Sequence, residues 1–255
     1  MSISVGLIGF GRTGSLVAKE IVNDPELTLK WVCRRHIPST ITYASHALGF
    51  DDNFAPFIAS EDLNLDYLKK NPVDLIIDFS SSESSKLYDV LAQANIKIVS
   101  AISKYGEDDL SRIELASHKT AILASPNITL GINWLIIASK VLQKIIPHAD
   151  IEIVEEHFRQ KNEVSGTALK LAEHLDLNSK EHVNSVRVGG IVGKHEVIFG
   201  LSYQTIRLTH ESINRAAFGT GAIFAAKWLH KQKNGLYKME NIFYEKFLAG
   251  IESLV

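Results

Sequence analysis

Residues 3–14 read ISVGLIGFGRTG, in which a short apolar strand, Ile3–Ile8, runs directly into three glycines with the spacing GxGxxG. A pattern typical of a helix follows. In such a strand–turn–helix unit Gly9 allows a tight turn, Gly11 lets the backbone approach a pyrophosphate, and Gly14 permits close packing of helix on strand. The alternative is a glycine-rich turn without a ligand. We expect a dinucleotide site here, with contacts from Gly9, Phe10, Gly11, Arg12, Thr13 and Gly14.

The next strand, Leu27–Cys33, ends in Arg34 and Arg35, where a site for NAD usually carries Asp or Glu. A guanidinium suits the 2′-phosphate of NADPH, which a carboxylate would repel. One charge-assisted hydrogen bond contributes about 1.5–3 kcal/mol. We therefore expect NADPH to be favoured and NADH to remain usable. The alternative is a pair of solvated arginines on a loop.

Strands and helices alternate through the first half of the chain. The run Val73–Phe79 has the near-continuous apolar character of a parallel strand covered on both faces, and further strands follow at Ile96–Ser100 and Ala121–Ala124. Residues 37–60 are expected to form an irregular connection with a short helix. This alternation predicts a Rossmann-type, doubly wound parallel sheet. Ligands of such sheets lie beyond the carboxyl strand ends, which adds these cofactor contacts: Phe79, Ser100, Ala101, Ile102, Ser125, Pro126, Asn127 and Ile128.

Ser125-Pro126-Asn127 breaks this pattern and marks the crossing into a second domain. The strands predicted beyond it are Ala149–His157, Ser185–Val188, His195–Gly200 and Tyr203–Thr209. The last three have no helical period between them, which predicts antiparallel pairing and an α+β sheet. The aromatic residues of the tail need burial, so the tail is expected to return to the first domain. The predicted domains are 1–127 plus 216–255 for the dinucleotide, and 128–215 for the second, α+β unit.

Residues 155–175, EEHFRQKNEVSGTALKLAEHL, combine a proton donor with cations. His157, Arg159 and Lys161 are two apart, so a strand would point all three to one face. The two cations disfavour a further positive charge on His157, which keeps its pKa low enough to release a proton near neutral pH. Ser165-Gly166-Thr167 opens a helix, and a helix N-terminus binds anions. The apolar stripe of that helix is Ala168, Leu171, Ala172 and Leu175. The alternative is a strand, a polar loop and an ordinary capped helix.

Composition excludes several classes of function. The 27 basic and 29 acidic residues give a net charge of −2, without a bias toward nucleic acid or membrane surfaces. The single cysteine, Cys33, excludes an intramolecular disulfide and suits a reducing compartment. The N-terminus lacks the basic region of a signal peptide, and polar residues interrupt the longest apolar stretch, Leu130–Pro147. We therefore expect a cytoplasmic protein without a membrane span. The histidines lack close ligand pairs, so no metal site is expected.

These motifs together resemble the dihydrodipicolinate reductase family over nearly the full chain. The stretches that carry the resemblance are GFGRTG at 9–14, SPNITLGIN at 125–133, EEHFRQKNEVSGTAL at 155–169, RVGGIVGKH at 187–195 and NRAAFGTGAIFAAKWL at 214–229. The resemblance implies NAD(P)H-dependent reduction of 4-hydroxy-tetrahydrodipicolinate (dihydrodipicolinate) in lysine and diaminopimelate biosynthesis. It also implies a homotetramer, in which the second domain binds the small dicarboxylate substrate and forms the subunit contacts.

The same resemblance implies roles for individual residues. His157 is expected to be the general acid, and Lys161 to bind substrate and promote proton transfer. Ser165, Gly166 and Thr167 are expected to hold a substrate carboxylate, with Arg215 approaching the same site.

Three departures from the family pattern concern this site. Phe158 stands where the family usually has a second, substrate-binding histidine. The loop Lys161–Ser165 lacks the usual proline and is one residue shorter. Ser100–Ser103 replaces a Gly-Thr-Thr-Gly turn that meets the nicotinamide. Two alternatives therefore stay open: a reductase of the same fold that acts on a different imine or enamine acid, and a non-enzymatic nucleotide-binding regulatory protein.

Overall fold

The structure, a computed structural model, describes residues 2–37 and 41–253. Its strands are β1 (Ile3–Ile8), β2 (Leu27–Arg34), β3 (Phe57–Ala59), β4 (Leu75–Asp78), β5 (Lys97–Ser100), β6 (Ala121–Ala124), β7 (Asp150–His157), β8 (Val183–Arg187), β9 (Lys194–Leu201), β10 (Gln204–Glu211) and β11 (Gly235–Tyr237). Its α-helices are α1 (Gly14–Asn23), α2 (Ala44–Ala47), α3 (Leu65–Lys70), α4 (Tyr88–Gln93), α5 (Glu107–Ser117), α6 (Leu130–Ile145), α7 (Gly166–His174), α8 (Ser179–His182), α9 (Ala216–Leu229) and α10 (Met239–Glu252). A 3₁₀ helix at Ser82–Leu87 leads into α4.

Two compact units divide the described chain. The first lies within Met1–Ile128 together with Phe218–Ile242, and the second within Thr129–Ala217 together with Phe243–Val255. This division differs from the predicted one at the C-terminus, where α10 extends into the second unit. The reason is aromatic packing, because the ring of Phe247 lies 5.9 Å from that of Trp134 on α6. Within the described part of the tail, β11 joins the first sheet through parallel pairing with β6.

The first unit is built on a seven-stranded sheet in the order β11-β6-β5-β4-β1-β2-β3. Every neighbouring pair is parallel. The strands β1 to β6 lie in the order 3-2-1-4-5-6, which is that of a doubly wound nucleotide-binding sheet. The predicted fold class is therefore confirmed. The central strands are apolar on both faces, and Leu75, Ile76 and Ile77 of β4 have no exposed surface. The predicted short helix in the connection after β2 is α2, and residues 38–40 of that connection lie outside the described residues.

The second unit contains a four-stranded sheet in the order β10-β9-β7-β8. The pairs β7–β9 and β9–β10 are antiparallel, but β7 and β8 run parallel. The expectation of antiparallel pairing throughout this part of the chain was therefore wrong. The chain between β7 and β8 contains α7, and a crossover of this kind joins parallel strands.

One face of this second sheet is covered by α6 and α7. The predicted stripe of α7 is fully buried against it, since Ala168, Leu171 and Ala172 have no exposed surface and Leu175 has 1%. They pack with Ile151 and other residues of the sheet in one apolar cluster. In residues 2–37 and 41–253, no helix is long and apolar enough to cross a membrane.

Candidate active site

The glycine-rich turn between β1 and α1 has the geometry that a pyrophosphate site requires. Gly9 has φ +94°, and a Cβ there would lie 2.8 Å from the backbone of Phe79 and Ser80. A Cβ at Gly14 would lie 2.2 Å from the carbonyl oxygen of Gly9, so any larger residue would displace α1 from the turn. A Cβ at Gly11 would meet nothing within 4 Å. Gly11 therefore leaves open space over the turn, which fits a bound phosphate group.

A cleft of about 980 Å³ opens beside this turn. Gly9, Phe10 and Gly11 line one side, and Arg34, Arg35 and His36 line the end of β2. The cleft is large enough for a drug-sized ligand. Arg34 is held in place by an aromatic contact, since its guanidinium carbon lies 5.2 Å from the ring centre of Phe57. Arg35 is exposed, and the pair Glu83–Lys86 lies across the same cleft.

A second pocket of about 510 Å³ lies at the carboxyl ends of β4, β5 and β6. Its walls include these predicted cofactor contacts: Thr13, Phe79, Ala101, Ile102, Pro126 and Ile128. Two other predicted contacts, Ser100 and Ser125, are buried and do not line this pocket. The hydroxyl of Ser100 lies 2.5 Å from that of Tyr105, and Ser125 donates a hydrogen bond to the carbonyl of Asn127. Both hydroxyls are therefore engaged by the protein itself.

Asp78, at the end of β4, is the centre of a buried hydrogen-bond network in the first unit. Its carboxylate is fully buried and accepts hydrogen bonds from the hydroxyls of Ser80, Ser84 and Tyr88. Burial raises its pKa, and those hydrogen bonds act in the opposite direction. Asp78 therefore serves as a structural hydrogen-bonding residue.

In the second unit, strand register brings the polar groups of three strands together. Glu155 and His157 are two apart on β7 and share its buried face. On one side, parallel pairing sets Ser185 opposite Glu155 and Arg187 opposite His157. On the other side, antiparallel pairing sets His195 of β9 opposite Glu155. The rings of His157 and His195 meet edge to face with centres 5.3 Å apart.

Glu155 is the centre of this cluster and has no exposed surface. Its Oε2 accepts from His157 Nδ1 at 2.5 Å and from Arg187 Nη1 at 2.8 Å. Its Oε1 accepts from Arg187 Nη2 at 2.5 Å, from the hydroxyl of Ser185 at 2.6 Å and from the backbone N–H of Ser165 at 3.2 Å. Burial alone would raise the pKa of this carboxyl, but the hydrogen bonds outweigh it and lower the pKa to about 2. Glu155 is therefore ionised at neutral pH.

His157 is 8% exposed, and its pKa lies below the usual value of 6.5. The first cause is burial, which Glu155 opposes, and the charges of Lys161 and Arg187 lower the pKa further. The predicted direction is correct, but the second cation that acts on the ring is Arg187 rather than Arg159. Gly193 lies at the other side of the ring, where a Cβ would come within 3.0 Å of Nε2.

The predicted single face of His157, Arg159 and Lys161 is wrong. The strand β7 ends at His157, and the chain then turns, with the N–H of Lys161 donating to the carbonyl of Phe158 at 3.1 Å. Arg187 fixes the turn by donating to the carbonyls of Lys161 and Glu163 at 2.8 and 2.9 Å. The short loop before Ser165 is thus held by a partly buried arginine.

Ser165 occupies the N-cap position of α7, but its side chain does not cap the helix. Its hydroxyl instead lies 2.8 Å from Nε2 of His195. Burial, followed by the charge of His157, lowers the pKa of His195 to about 3, so this ring is neutral. Gly166 is exposed and Thr167 is partly exposed in the first turn of α7. The N–H groups of this turn are in position to receive an anion.

The two remaining predicted substrate residues, Phe158 and Arg215, both belong to the second unit. Phe158 is partly buried in the turn after β7. Arg215 is partly exposed at the residue before α9. In the part of the chain that the structure describes, no group of three His, Cys, Asp or Glu side chains is arranged to hold a metal ion.

Comparison with known protein families agrees with both halves of this architecture. The sequence model described as "Dihydrodipicolinate reductase, N-terminus" matches residues 3–128, and that described as "Dihydrodipicolinate reductase, C-terminus" matches residues 131–243. The chain belongs to the dihydrodipicolinate reductase family. The resemblance inferred from the sequence motifs is thereby confirmed, and with it an NAD(P)H-dependent oxidoreductase.

Individual relatives of the family match over most of the chain. A 4-hydroxy-tetrahydrodipicolinate reductase of Caldanaerobacter subterraneus subsp. tengcongensis is 33% identical over 254 residues, which cover 91% of this chain and 94% of that protein. One of Rickettsia bellii is 35% identical and covers 77% and 88%. A solved structure of a dipicolinate-bound dihydrodipicolinate reductase from Paenisporosarcina sp. TG-14 has a TM-score of 0.77 at 22% identity, and covers 95% of this chain and all of that one. At that identity the likeness establishes the fold.

In this family member, sequence reasoning missed the charged cluster around His157. Glu155, Ser185, Arg187 and His195 were not predicted as site residues. The alternating pattern of β7 contains a signal for Glu155. Glu155 lies two and four residues after Ile153 and Ile151, so it is on the same face of the strand as these buried core residues. A charged residue at a core-facing position requires a partner. The identity of that partner depends on pairing with β8, which no local pattern contains.

Proposed function

We propose that the chain reduces 4-hydroxy-tetrahydrodipicolinate to tetrahydrodipicolinate with NADPH, as a step of lysine and diaminopimelate biosynthesis. The observation that carries this proposal is the pairing of His157 with buried Glu155, next to Ser165 at the start of α7. This acid and anion cradle occur in a chain that matches the reductase family over both of its units. A dicarboxylate substrate is supported by the related 4-hydroxy-tetrahydrodipicolinate reductases and by the dipicolinate bound in the Paenisporosarcina structure.

A reduced nicotinamide, when bound, supplies the hydride. His157 donates a proton from Nε2 to the ring position beside the carbon that is reduced, a contribution of about 10²–10⁴-fold. Lys161 and the first turn of α7, beginning at Gly166 and Thr167, hold a substrate carboxylate and fix the ring for the transfer. The loss of the 4-hydroxyl as water, together with the added hydride and proton, balances the reaction.

The preference for NADPH is supported by the basic end of β2. Arg34 is oriented by its contact with Phe57, and Arg35 is exposed on the same cleft. Glu83 is paired with Lys86 at 2.5 Å, which reduces the repulsion that its carboxylate would exert on a phosphate. Two guanidinium groups without a carboxylate at the end of β2 favour a 2′-phosphate over a free hydroxyl.

The assignment of the two domains, the homotetramer and a cytoplasmic location belong to the same proposal. The first unit is the dinucleotide domain, and the second binds substrate and forms the subunit contacts. Support for the subunit contacts comes from Val186 and Val188, which are 42% and 44% exposed at the edge of the second sheet. Light scattering on the purified protein measures the subunit number, and a monomer would contradict this part of the proposal.

One experiment tests the function directly. Steady-state oxidation of NADPH and of NADH is followed with and without freshly generated pathway substrate. We expect substrate-dependent oxidation that is faster with NADPH at low cofactor concentration. His157→Ala is expected to lower kcat by about 10²–10⁴-fold while NADPH binding stays unchanged. Unchanged turnover in that variant would remove His157 as the acid.

A second candidate substrate class is favoured by one observation. Phe158 is partly buried beside the acid and cannot donate a hydrogen bond. This side chain suits a bulkier or less charged imine or enamine acid. Tight NADPH binding without oxidation by the pathway substrate would favour that class over the first.

A further inference from the structure

The hydrogen bonds of Glu155 connect the two parts of the candidate site. One oxygen of its carboxylate accepts from the ring of His157, and the other accepts from the backbone N–H of Ser165. The acid and the first residue of the anion cradle are therefore both attached to one fully buried group. Such a group can fix both without touching the substrate.

The hydrogen-bond donors around the Glu155 carboxylate determine which nitrogen of His157 carries a proton. An ionised carboxylate only accepts hydrogen bonds, and Arg187 keeps Glu155 ionised through two contacts at 2.5 and 2.8 Å. The atom of His157 that faces Glu155 must then carry a proton, and that atom is Nδ1. The other nitrogen, Nε2, faces the open position left by Gly193.

We propose that Glu155 is a positioning residue that keeps a proton on Nδ1 of His157, leaves Nε2 as the reactive nitrogen, and fixes the first turn of α7 through Ser165. Arg187 supports it by neutralising its charge and by holding the loop Lys161–Ser165. This inference rests on the proposed function and names residues that the sequence motifs did not assign.

The stability of the protonated ring of His157 depends on all charged and titratable groups that face it. These are Glu155 on β7, Arg187 on β8, His195 on β9 and Lys161 in the turn after β7. Glu155 is the group among them that stabilises the imidazolium, whereas Arg187 and Lys161 oppose it. Removing the charge of Glu155 therefore makes the imidazolium less stable.

The substitution Glu155→Gln is expected to move the proton on the neutral ring of His157 from one nitrogen to the other. At the Oε1 position three donors meet, from Arg187, Ser185 and Ser165, whereas at Oε2 the donors are Arg187 and the ring of His157. Only the ring can exchange its donor for an acceptor, by moving its proton to the other nitrogen. The new NH₂ group is therefore expected at Oε2, where it donates to Nδ1 of His157. The neutral ring then carries its proton on Nε2 instead of Nδ1.

The experiment combines nitrogen NMR with kinetics. In ¹⁵N-histidine-labelled wild-type protein without substrate, the His157 signals, assigned by their absence from H157Q, are expected to show a neutral ring protonated on Nδ1. In E155Q they are expected to show Nε2 protonation. The limb of the kcat–pH profile that falls as pH rises is expected to move down by about 1–3 pH units, since a carboxylate that faces a cation shifts its pKa by this amount. The corresponding loss of kcat at neutral pH is about 10- to 1,000-fold.

Glu156→Gln is the matched control. Glu156 is the next residue, faces the other side of β7, and pairs with Lys194 at 2.7 Å. The E156Q variant also removes a carboxylate from an ion pair, here with Lys194. Its kcat–pH profile is expected to equal that of the wild type. NADPH binding and the thermal unfolding midpoint are measured for both variants.

The outcomes separate this inference from the function on which it rests. A wild-type His157 that is protonated on Nε2, or an E155Q enzyme with the wild-type pH profile, overturns the role of Glu155. If E155Q fails to fold, the wild-type NMR spectrum still decides. A wild-type protein that does not reduce the pathway substrate refutes the proposed function, whereas the proton position is measured without any substrate.

Discussion

Replacement of Gly193 by alanine tests whether Nε2 of His157 is the nitrogen that faces the substrate. The added Cβ would lie 3.0 Å from Nε2 and 3.4 Å from Cδ2 of the ring. Gly193 does not have a left-handed backbone, so alanine introduces no backbone strain. The substitution therefore acts on the ring and on the space in front of it.

The magnitude follows from how little the ring can move. His157 is held on its other side by Glu155 at 2.5 Å, so it can shift by only a few tenths of an ångström. A misplacement of 1 Å costs roughly 10²-fold in rate, and the methyl group also narrows the approach to Nε2. We expect kcat to fall by about 10- to 100-fold, which is roughly 1.4–2.7 kcal/mol of transition-state stabilisation.

The assay compares Gly193→Ala with Gly190→Ala under steady-state conditions with saturating NADPH. Gly190 is in the same loop, has no left-handed backbone, and a Cβ there would meet nothing within 4 Å. We expect Gly190→Ala to retain wild-type kcat, and both variants to bind NADPH normally. Equal kcat values for the two variants, within about twofold, would show that Nε2 does not face the substrate.

Three further predictions concern the cofactor, acid stability and the cysteine. Arg35→Ser is expected to raise the KM for NADPH by about 10- to 100-fold and to leave that for NADH nearly unchanged; a parallel rise for both cofactors would contradict a 2′-phosphate contact. The pKa of Glu155 lies at about 2 instead of 4.5, so its carboxylate stabilises the folded state above pH 4.5 and this contribution is lost as the pH falls toward 2. Urea titrations should show a loss of roughly 3 kcal/mol over that range, and a smaller loss in E155Q. Cys33 is fully buried and its pKa is raised to about 12, first by burial and then by Asp78, so iodoacetamide should modify it only after unfolding; rapid modification of the folded protein would show that the base of the cleft opens.

The first sheet was predictable because its signals are local. The apolar run before the glycines, the run at β4 and the turn residues each identify one element, and parallel strands covered on both faces follow from their composition. The three glycines were also interpretable one by one, since each position has a separate steric requirement. The 3₁₀ start of the helix after β4 was not predicted, because several serines there bind Asp78 or the backbone instead of continuing a regular helix.

The candidate site was predictable only in part. His157 and the start of α7 follow from spacing, but Arg187, on a strand distant in the sequence, comes beside them through the parallel pairing of β8 with β7. The parallel direction itself was accessible, because the predicted helix α7 separates the two strands. The contact of Ser165 with His195 was not, because a serine before a helix normally predicts a cap and the competing partner lies on a distant strand.

Strand β8 lies at the edge of the second sheet, and its ion pair with Glu155 is expected to keep it from fraying. Edge strands ordinarily open at low cost, because they lose only one row of backbone hydrogen bonds. Opening of β8 would also withdraw Ser185 and Arg187 and leave the carboxylate of Glu155 buried without its cation. Stranding such a charge costs about 3–5 kcal/mol. The ion pair that orients the acid therefore also holds the edge strand β8 on the sheet. Slow hydrogen exchange of the backbone amides of β8 is the expected observation.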